Sequence, residues 1–163
     1  MKKNTYRKIK KCTFDKNFPM TRKLVTLAAF FGFVAIILGA FGAHALKEVL
    51  TAEQLVSFET GVRYQMYHAL FLLLISQLNV LTEKNKRTIG ILTTIGIFLF
   101  SGSIFLLATQ GLSGINFKFL GPVTPVGGLF LIVSWFLTAF YSMKQKKQLI
   151  KKILNLLVSL YAN

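Results

Sequence analysis

Four apolar stretches alternate with shorter polar segments along the chain, and each is long enough to cross a lipid bilayer as a helix. The first, residues 24–45, contains no Lys, Arg, Asp or Glu. A helix of that length measures about 33 Å, against a hydrocarbon core of roughly 30 Å. The other predicted spans are residues 64–81, 89–109 and 126–143. The pattern predicts an all-α integral membrane protein, a four-helix bundle formed by residues 24–143.

Small residues recur at helical spacing along the first predicted span and again at the start of the fourth. Lipid is as apolar as the side chains, so membrane helices associate by close packing, which small residues allow. We therefore expect helix packing at Gly32, Ala35, Gly39, Gly42 and Ala43, and at Gly127 and Gly128.

The first span also has one feature of a signal peptide, because Ala43-His44-Ala45 resembles a small-residue cleavage site. Its uncharged stretch is longer than the roughly 7–15 apolar residues of a signal-peptide core. We therefore expect the segment to remain as a membrane span.

The second predicted helix begins at a capping box, with Thr51 as the N-cap and Gln54 as the third helical residue. No proline interrupts the chain up to about Leu81, so we expect one helix longer than a bilayer core. Tyr64 and Tyr67 mark the membrane boundary, where aromatic rings with one polar end are favoured. Residues 52–63 are then interfacial, and residues 82–88 form a polar turn to the third span.

Basic segments flank the four spans. Residues 1–23 are a cytoplasmic leader with nine Lys or Arg and one acid, and their pattern predicts no packed element. Met20 lies within this leader, so residues 1–19 are alternatively an upstream extension of the reading frame. Residues 144–163 place leucines on one helical face and lysines on another, which predicts a basic amphipathic helix on an anionic leaflet.

The net charge of +15 would by itself suggest a nucleic-acid-binding protein. The positions of the basic residues argue against nucleic-acid binding, because these residues lie almost wholly between and beyond the apolar stretches. Seventeen of the 20 Lys and Arg fall in the leader, the second connection and the tail, and three fall in the other connections. Cytoplasmic segments of membrane proteins are enriched in Lys and Arg. We therefore predict both termini in the cytoplasm, with the lipid bilayer rather than nucleic acid as the partner.

Ionisable residues gather where the second helix enters the membrane. Glu59 and Arg63 are four positions apart, in the order that favours an intrahelical ion pair. We expect them to act as a structural pair that sets the depth of the helix. The alternative is a proton or substrate site, because charges near the membrane core are costly and often functional.

Further residues complete this outer cluster. Tyr64 and His68 form a second pair four positions apart, and Tyr67 and His44 belong to the same predicted outer side. Two histidines and a carboxylate suggest a metal site, but Glu59 and His68 face opposite ways and no His-x₃-His spacing exists. We predict hydrogen-bonded interfacial histidines, with no metal, no cofactor and no catalytic residue.

Hydroxyl side chains within the spans are a second candidate. Ser101 and Ser103 in the third span, with Ser134 and Thr138 in the fourth, could line a pore. Ser and Thr inside a bundle more often hydrogen-bond to backbone or to the next helix, so we expect a structural role.

Four motifs in order carry a resemblance to a known family. They are residues 38–46 (LGAFGAHAL), 58–69 (FETGVRYQMYHA), 101–103 (SGS) and 121–128 (GPVTPVGG). Together they resemble a bacterial family of small four-helix membrane proteins, domain-of-unknown-function family 423, over about residues 21–143. The resemblance implies a multi-pass protein of the bacterial inner membrane without an assigned activity, and it transfers no catalytic residue.

Three functions remain open. The leading hypothesis is a non-enzymatic bundle that binds another membrane protein or a second copy and presents the outer cluster. The alternative is a small oligomeric transporter or channel, although the first and third spans carry no central charge. The third is a membrane enzyme at the outer interface, with His44 or His68 as acid or base.

Overall fold

The computed structural model describes residues 18–161, and the side chains of residues 20–144 with Leu154, Asn155 and Leu157. Its four long helices are α1 (Phe18–Ala43), α2 (Ala52–Gln77), α3 (Glu83–Ser113) and α4 (Val123–Tyr161). Within α3, a π-helical turn at Phe98–Gly102 separates Glu83–Ile97 from Ser103–Ser113. Short 3₁₀ turns lie at Leu46–Glu48 and Lys118–Leu120. No strand occurs in residues 18–161, and the predicted all-α bundle is confirmed.

Helix α2 lies antiparallel against α1. Near one end Thr21 Oγ1 donates to the Ser76 carbonyl at 3.4 Å. Near the other end a Cβ on Gly42 would lie 3.4 Å from the Phe58 ring. The stretch of α2 from Phe58 to Ser76 therefore covers the same thickness as α1 from Thr21 to Gly42.

Helix α3 returns parallel to α1. A Cβ on Gly90 would meet the Leu24 side chain at 2.5 Å, and further along the Phe31 and Phe98 rings lie 5.5 Å apart. The start of α1 and the start of α3 therefore share one end of the bundle. We call it the inner end, following the charge-based prediction, and the opposite end the outer end.

Helix α4 packs antiparallel to α3 and approaches it most closely at the π-helical turn. A Cβ on Gly127 would lie 2.7 Å from the Leu99 carbonyl carbon and 2.8 Å from Phe100 Cα. Real Cβ atoms do not come that close to backbone, so this approach requires glycine. Nearby, the Ser103 and Thr124 hydroxyls lie 2.6 Å apart and link the two helices.

The surface and the interior of the bundle have the polarity expected of a membrane protein. Large apolar side chains are exposed along α1 and α4, among them Ile36 at 65%, Phe33 at 63%, Phe136 at 65% and Ile132 at 64%. Buried positions include the polar residues Gln65, His68, Lys86, Thr93, Ser101 and Ser134. Apolar patches of this extent are typical of surfaces that contact lipid or partners.

Three segments are long and apolar enough to cross a membrane, within Met20–Glu48, Glu83–Ser113 and Lys118–Lys144. They contain three of the four predicted spans. Helix α2 is not among them, because polar residues such as Arg63, Gln65 and His68 offset its leucines. Its Phe58–Ser76 stretch nevertheless lies beside α1, which contains one of the three candidate spans.

Several helix boundaries differ from the sequence predictions. Helix α2 ends at Gln77 rather than near Leu81, because residues 78–81 form a turn closed by the Leu81 N–H on the Leu78 carbonyl at 3.2 Å. Thr82 then caps α3 by accepting from the Asn85 N–H at 3.2 Å. The segment 82–88 is therefore the cap and first turn of α3 rather than a separate polar turn.

The two ends of the chain also differ from expectation. Helix α1 begins at Phe18, so the last part of the predicted unpacked leader is helical, and Met20 packs against the core. The rest of the leader lies outside the described residues. Residues 144–161 continue α4 without a break rather than forming a separate helix, since neither proline nor glycine interrupts them. Their predicted position along the inner leaflet stays a prediction.

Candidate functional site

The predicted capping box at the start of α2 is confirmed. The Thr51 N–H donates to Gln54 Oε1 at 2.9 Å, and the Gln54 N–H donates to Thr51 Oγ1 at 3.3 Å. Reciprocal bonds of this kind satisfy amides that a helix start leaves unpaired. They fix where α2 begins and hence the position of the outer cluster.

Glu59 and Arg63 both lie exposed on α2. Arg63 Nη2 donates to Thr60 Oγ1 at 3.1 Å, and the Thr60 hydroxyl in turn donates to the Val56 carbonyl at 2.9 Å. The structure describes both charged side chains and records no ion pair between them. The intrahelical pair expected from their spacing is therefore not formed here, because Thr60 supplies a nearer oxygen for Arg63.

Tyr64 and His68 do come together, on another side of α2. Their rings stack with centroids 6.3 Å apart, and Tyr64 also lies 4.8 Å from Phe100 of α3. His68 is buried, and its Nδ1 lies 2.8 Å from the Tyr64 carbonyl oxygen. Because a carbonyl only accepts, Nδ1 carries a hydrogen. His68 thus makes the kind of local hydrogen bond expected of a structural histidine.

The outer cluster is not one convergent site. His44 and Tyr67 are exposed, the former in the connection after α1, whereas His68 is buried. Among the described residues there is no group of three or more His, Cys, Asp or Glu placed to hold a metal ion. What remains at the surface is a face of α2 carrying Glu59, Arg63 and Tyr67, which we call the α2 outer face.

The small residues of α1 lie mainly against α2. A Cβ on Gly32 would contact Ala69 Cβ at 3.9 Å, one on Gly39 would contact Val62 at 3.5 Å, and Gly42 faces Phe58. Ala35 is completely buried, whereas Ala43 at the end of α1 is exposed. In α4, Gly127 meets the α3 backbone, and Gly128 lies beside the Phe100 ring.

One interior contact was missed in the sequence. Gln65 is buried, and its Nε2 donates across the helix interface to the Phe31 carbonyl at 3.0 Å. Interhelical amide bonds of this kind hold membrane helices in register. The signal was a glutamine in an otherwise apolar segment, but nothing in the sequence indicates its partner.

A three-helix junction at the inner end was also missed. Lys86 of α3 is buried, and its Nζ donates to the Ser76 carbonyl near the end of α2 at 2.9 Å. Thr21 of α1 donates to the same oxygen. A cation at the carboxyl end of a helix is favourable, because unpaired carbonyls and the helix dipole concentrate negative charge there.

The interior hydroxyls of the spans mostly bond within their own helices. Thr93 donates to the Ile89 carbonyl at 2.9 Å, Ser134 to Phe130 at 2.8 Å, and Thr138 to Ser134 at 2.9 Å. Ser103 bridges to α4 as described above, while Ser101 Oγ is buried without a hydrogen-bond partner in the described part of the chain. These contacts are structural ones.

A groove of about 440 Å³ lies at the outer end between α2 and α3. Glu53, Gln54 and Ser57 line it on one side, and Thr124 and apolar residues of α3 line the rest. Neither His44 nor His68 belongs to its lining. The groove therefore contains Glu53 but neither of the two histidines that the enzyme hypothesis names.

An all-helical bundle with a largely apolar surface, a core that also contains polar residues, and three segments fit to cross a membrane is a small multi-pass membrane protein. The comparison with known proteins makes this specific. The chain belongs to the family described as "Protein of unknown function (DUF423)", which matches residues 38–128. The resemblance inferred from the four motifs is confirmed.

Relatives from distant bacteria are named as membrane proteins. The chain is 36% identical over 127 residues to the UPF0382 membrane protein of Haemophilus influenzae, covering 78% of this chain and 98% of that one. It is 37% identical over 125 residues to the UPF0382 membrane protein YwdK of Bacillus subtilis, covering 74% and 95%. The UPF0382 inner membrane protein YgdD of Escherichia coli is 32% identical over 135 residues, covering 78% and 95%. No solved structure matches.

Proposed function

We propose that this protein is a non-enzymatic, four-span protein of the bacterial inner membrane that assembles with a second copy through the α2 outer face. The observation that carries the proposal is the exposure of two opposite charges, Glu59 and Arg63, on a helix lying within the thickness of the bundle. Charges at membrane depth are costly unless they are paired or reach water. A partner helix that pairs them would lower that cost.

Four spans with both termini in the cytoplasm are part of this proposal. Helix α2 runs beside α1 from Phe58 to Ser76, so a bilayer that contains α1 also contains that stretch. The distribution of Lys and Arg then favours the cytoplasmic side for both termini. Three spans would instead place the termini on opposite sides and divide the basic segments between them.

The charge pattern of the α2 outer face is self-complementary. Two copies inserted the same way are related by a two-fold axis along the membrane normal, so each contact occurs twice. Glu59 and Arg63 differ in height by about 6 Å along the helix, which long side chains can bridge. Glu59 then approaches the partner's Arg63, and Arg63 approaches the partner's Glu59.

Two observations support a non-enzymatic role over transport or catalysis. Thr93, Ser134 and Thr138 donate to carbonyls of their own helices, as in dry helix packing, which does not favour a polar path through one copy. The outer groove contains neither histidine.

A charge exchange between two copies tests the proposal. Glu59→Arg alone and Arg63→Glu alone should each reduce co-purification of two differently tagged copies, because like charges then face each other. Co-expression of one variant with the other should restore it, since both contacts again join opposite charges. A mixed pair as weak as either variant alone would refute the interface, because an effect within one helix cannot be rescued by the other copy.

Disulfide crosslinking locates the interface independently. Cys12 is the single cysteine of the chain. With Cys12 replaced by Ser, Tyr67→Cys on the α2 outer face should crosslink two copies in native membranes. Ile132→Cys on α4 is the matched control, since Tyr67 and Ile132 are similarly exposed at 56% and 64%. Equal crosslinking at both positions would indicate random collision. Crosslinking of Tyr67→Cys only to another protein would replace the second copy with that partner.

A further inference from the structure

A groove of about 620 Å³ lies between the inner ends of α1 and α3, away from the α2 outer face. Three cations line it, namely Lys23 of α1 with Lys84 and Arg87 of α3. Glu83 is the one acid in the lining, so the groove carries a net positive charge. This excess of positive charge favours an anion in the groove.

The lining of the groove changes from charged to apolar with distance from the inner end of the bundle. Leu27 follows Lys23 by four positions on α1, and Ile91 follows Arg87 by four positions on α3, and all four line the groove. Because α1 and α3 are parallel, both apolar residues lie about one helical turn further from the inner end than the cations. A ligand that fits has an anionic group at the end of the bundle and an apolar chain along its side.

Electrostatics of the groove favour an occupant. Lys84 and Arg87 lie in the first turns of α3, which begins at Glu83. The start of a helix carries partial positive charge from its unpaired amides, so cations there are opposed by the helix as well as by each other. A phosphate between them would relieve both effects, and basic pockets between membrane helices bind lipid headgroups in this way.

Glu83 adds a requirement for a hydrogen-bond donor. Its Oε2 is buried and has no hydrogen-bond partner among the described residues. A buried carboxylate oxygen without a donor is unfavourable. If the Glu83 side chain, which lines the groove, turns this oxygen outward, a ligand hydroxyl beside the phosphate supplies that donor.

We propose that this groove binds one phosphatidylglycerol molecule. Its phosphate lies among the three cations, and its glycerol hydroxyls donate to Glu83. One acyl chain lies along Leu27 and Ile91. The proposal is independent of the assembly proposed above, because no residue of the α2 outer face lines this groove.

The first test uses the unmodified full chain in detergent, examined by native mass spectrometry with one added lipid at a time. We expect phosphatidylglycerol to give a singly bound state at lower concentration than phosphatidylpropanol, which carries the same single phosphodiester charge but no glycerol hydroxyls. Phosphatidylethanolamine and phosphatidylcholine should bind more weakly than both. Equal binding of phosphatidylethanolamine and phosphatidylglycerol would overturn the anion site.

The second test distinguishes binding in this groove from nonspecific attraction of anionic lipid to the basic end of the bundle. Lys23→Gln with Arg87→Gln should weaken phosphatidylglycerol binding about fivefold for each cation removed. Arg22→Gln is the matched control for Lys23→Gln alone, because each removes one positive charge from the same end of α1 but Arg22 does not line this groove. An equal loss with Arg22→Gln would show that headgroup attraction is nonspecific and would overturn the site.

The third test concerns the hydroxyl contact. Glu83→Leu should narrow the preference for phosphatidylglycerol over phosphatidylpropanol, because leucine removes the carboxylate acceptor while the three cations remain and both lipids carry the same charge. An unchanged preference would refute the assigned hydroxyl contact. Thermal melting of each variant without added lipid shows whether the variant is folded. If a variant does not fold, the comparison of lipids on the unmodified chain still tests the site.

Discussion

Gly127 is the glycine at which an added methyl group would lie nearest to the backbone of another helix. Gly127 of α4 lies against the backbone of Leu99 and Phe100, at the π-helical turn of α3. Gly127→Ala would place a Cβ 2.7 Å from one of these backbone atoms and 2.8 Å from another. A flexible side chain could rotate away, but backbone atoms of a packed helix cannot.

The size of the effect follows from that overlap. Ordinary contact for a Cβ begins at 3.4 Å, and the Phe100 backbone nitrogen is nearer still, so α3 and α4 must separate by at least about 0.7 Å here or tilt apart. Forcing one methyl into a packed interface typically costs about 1–3 kcal/mol. Alanine also stabilises a helix interior relative to glycine by roughly 0.5–1 kcal/mol, which partly offsets the loss.

Gly128 provides a matched control at the neighbouring position. Its Cβ would lie 3.6 Å from the Phe100 ring, in ordinary contact, so Gly128→Ala gains the same helix preference without the clash. The free energy of unfolding in bicelles should therefore be lower for Gly127→Ala than for Gly128→Ala by about 1–3 kcal/mol. Gly102→Ala, which meets nothing within 4 Å, should resemble Gly128→Ala. Equal stability of the 127 and 128 variants would refute the close approach of α4 to the π turn.

Three further predictions concern a contact, a cap and the topology. Gln65→Met should lower the free energy of unfolding by about 0.5–1.5 kcal/mol, since it removes the bond to the Phe31 carbonyl but fills the same space; no change would mean that the bond contributes nothing. Thr51→Ala should cost about 1 kcal/mol in the same assay, and Thr51→Ser much less, because serine keeps the capping oxygen. A reporter active only in the cytoplasm should be active after Asn163 and inactive at Lys118; activity at Lys118 would contradict four spans.

Local features of the fold could be predicted from the sequence because they depend on nearby residues. The four helices follow from the lengths of the apolar stretches, and the start of α2 follows from Thr51 and Gln54. The π-helical turn at Phe98–Gly102 could not be predicted, since neither its composition nor its flanks differ from an ordinary span. It coincides with the contact from Gly127, which lies some twenty-five residues later and is a tertiary feature.

The candidate site shows the same division. The sequence indicates that Glu59 and Arg63 share a side of α2, but not that Thr60 accepts the hydrogen bond from Arg63. The sequence predicts Lys86 in a polar turn, whereas in the structure its side chain is buried and donates to the Ser76 carbonyl. In each case the polar residue can be identified from the sequence, but its hydrogen-bond partner cannot. The partner depends on which groups the tertiary structure brings next to the side chain.

Packing explains some polar residues of the bundle and leaves others without a structural role. Interior groups such as Gln65 and Lys86 bond to carbonyls of neighbouring helices, so structure alone accounts for them. Glu59 and Arg63 are different, because they are exposed on the helix whose own composition is least suited to lipid. A bundle could be stable with leucine at both positions, and removing an opposite pair together leaves no unpaired charge. Replacing both Glu59 and Arg63 by leucine should therefore preserve folding but abolish association of two copies. A loss of association without a loss of stability is the result expected for residues of a binding surface.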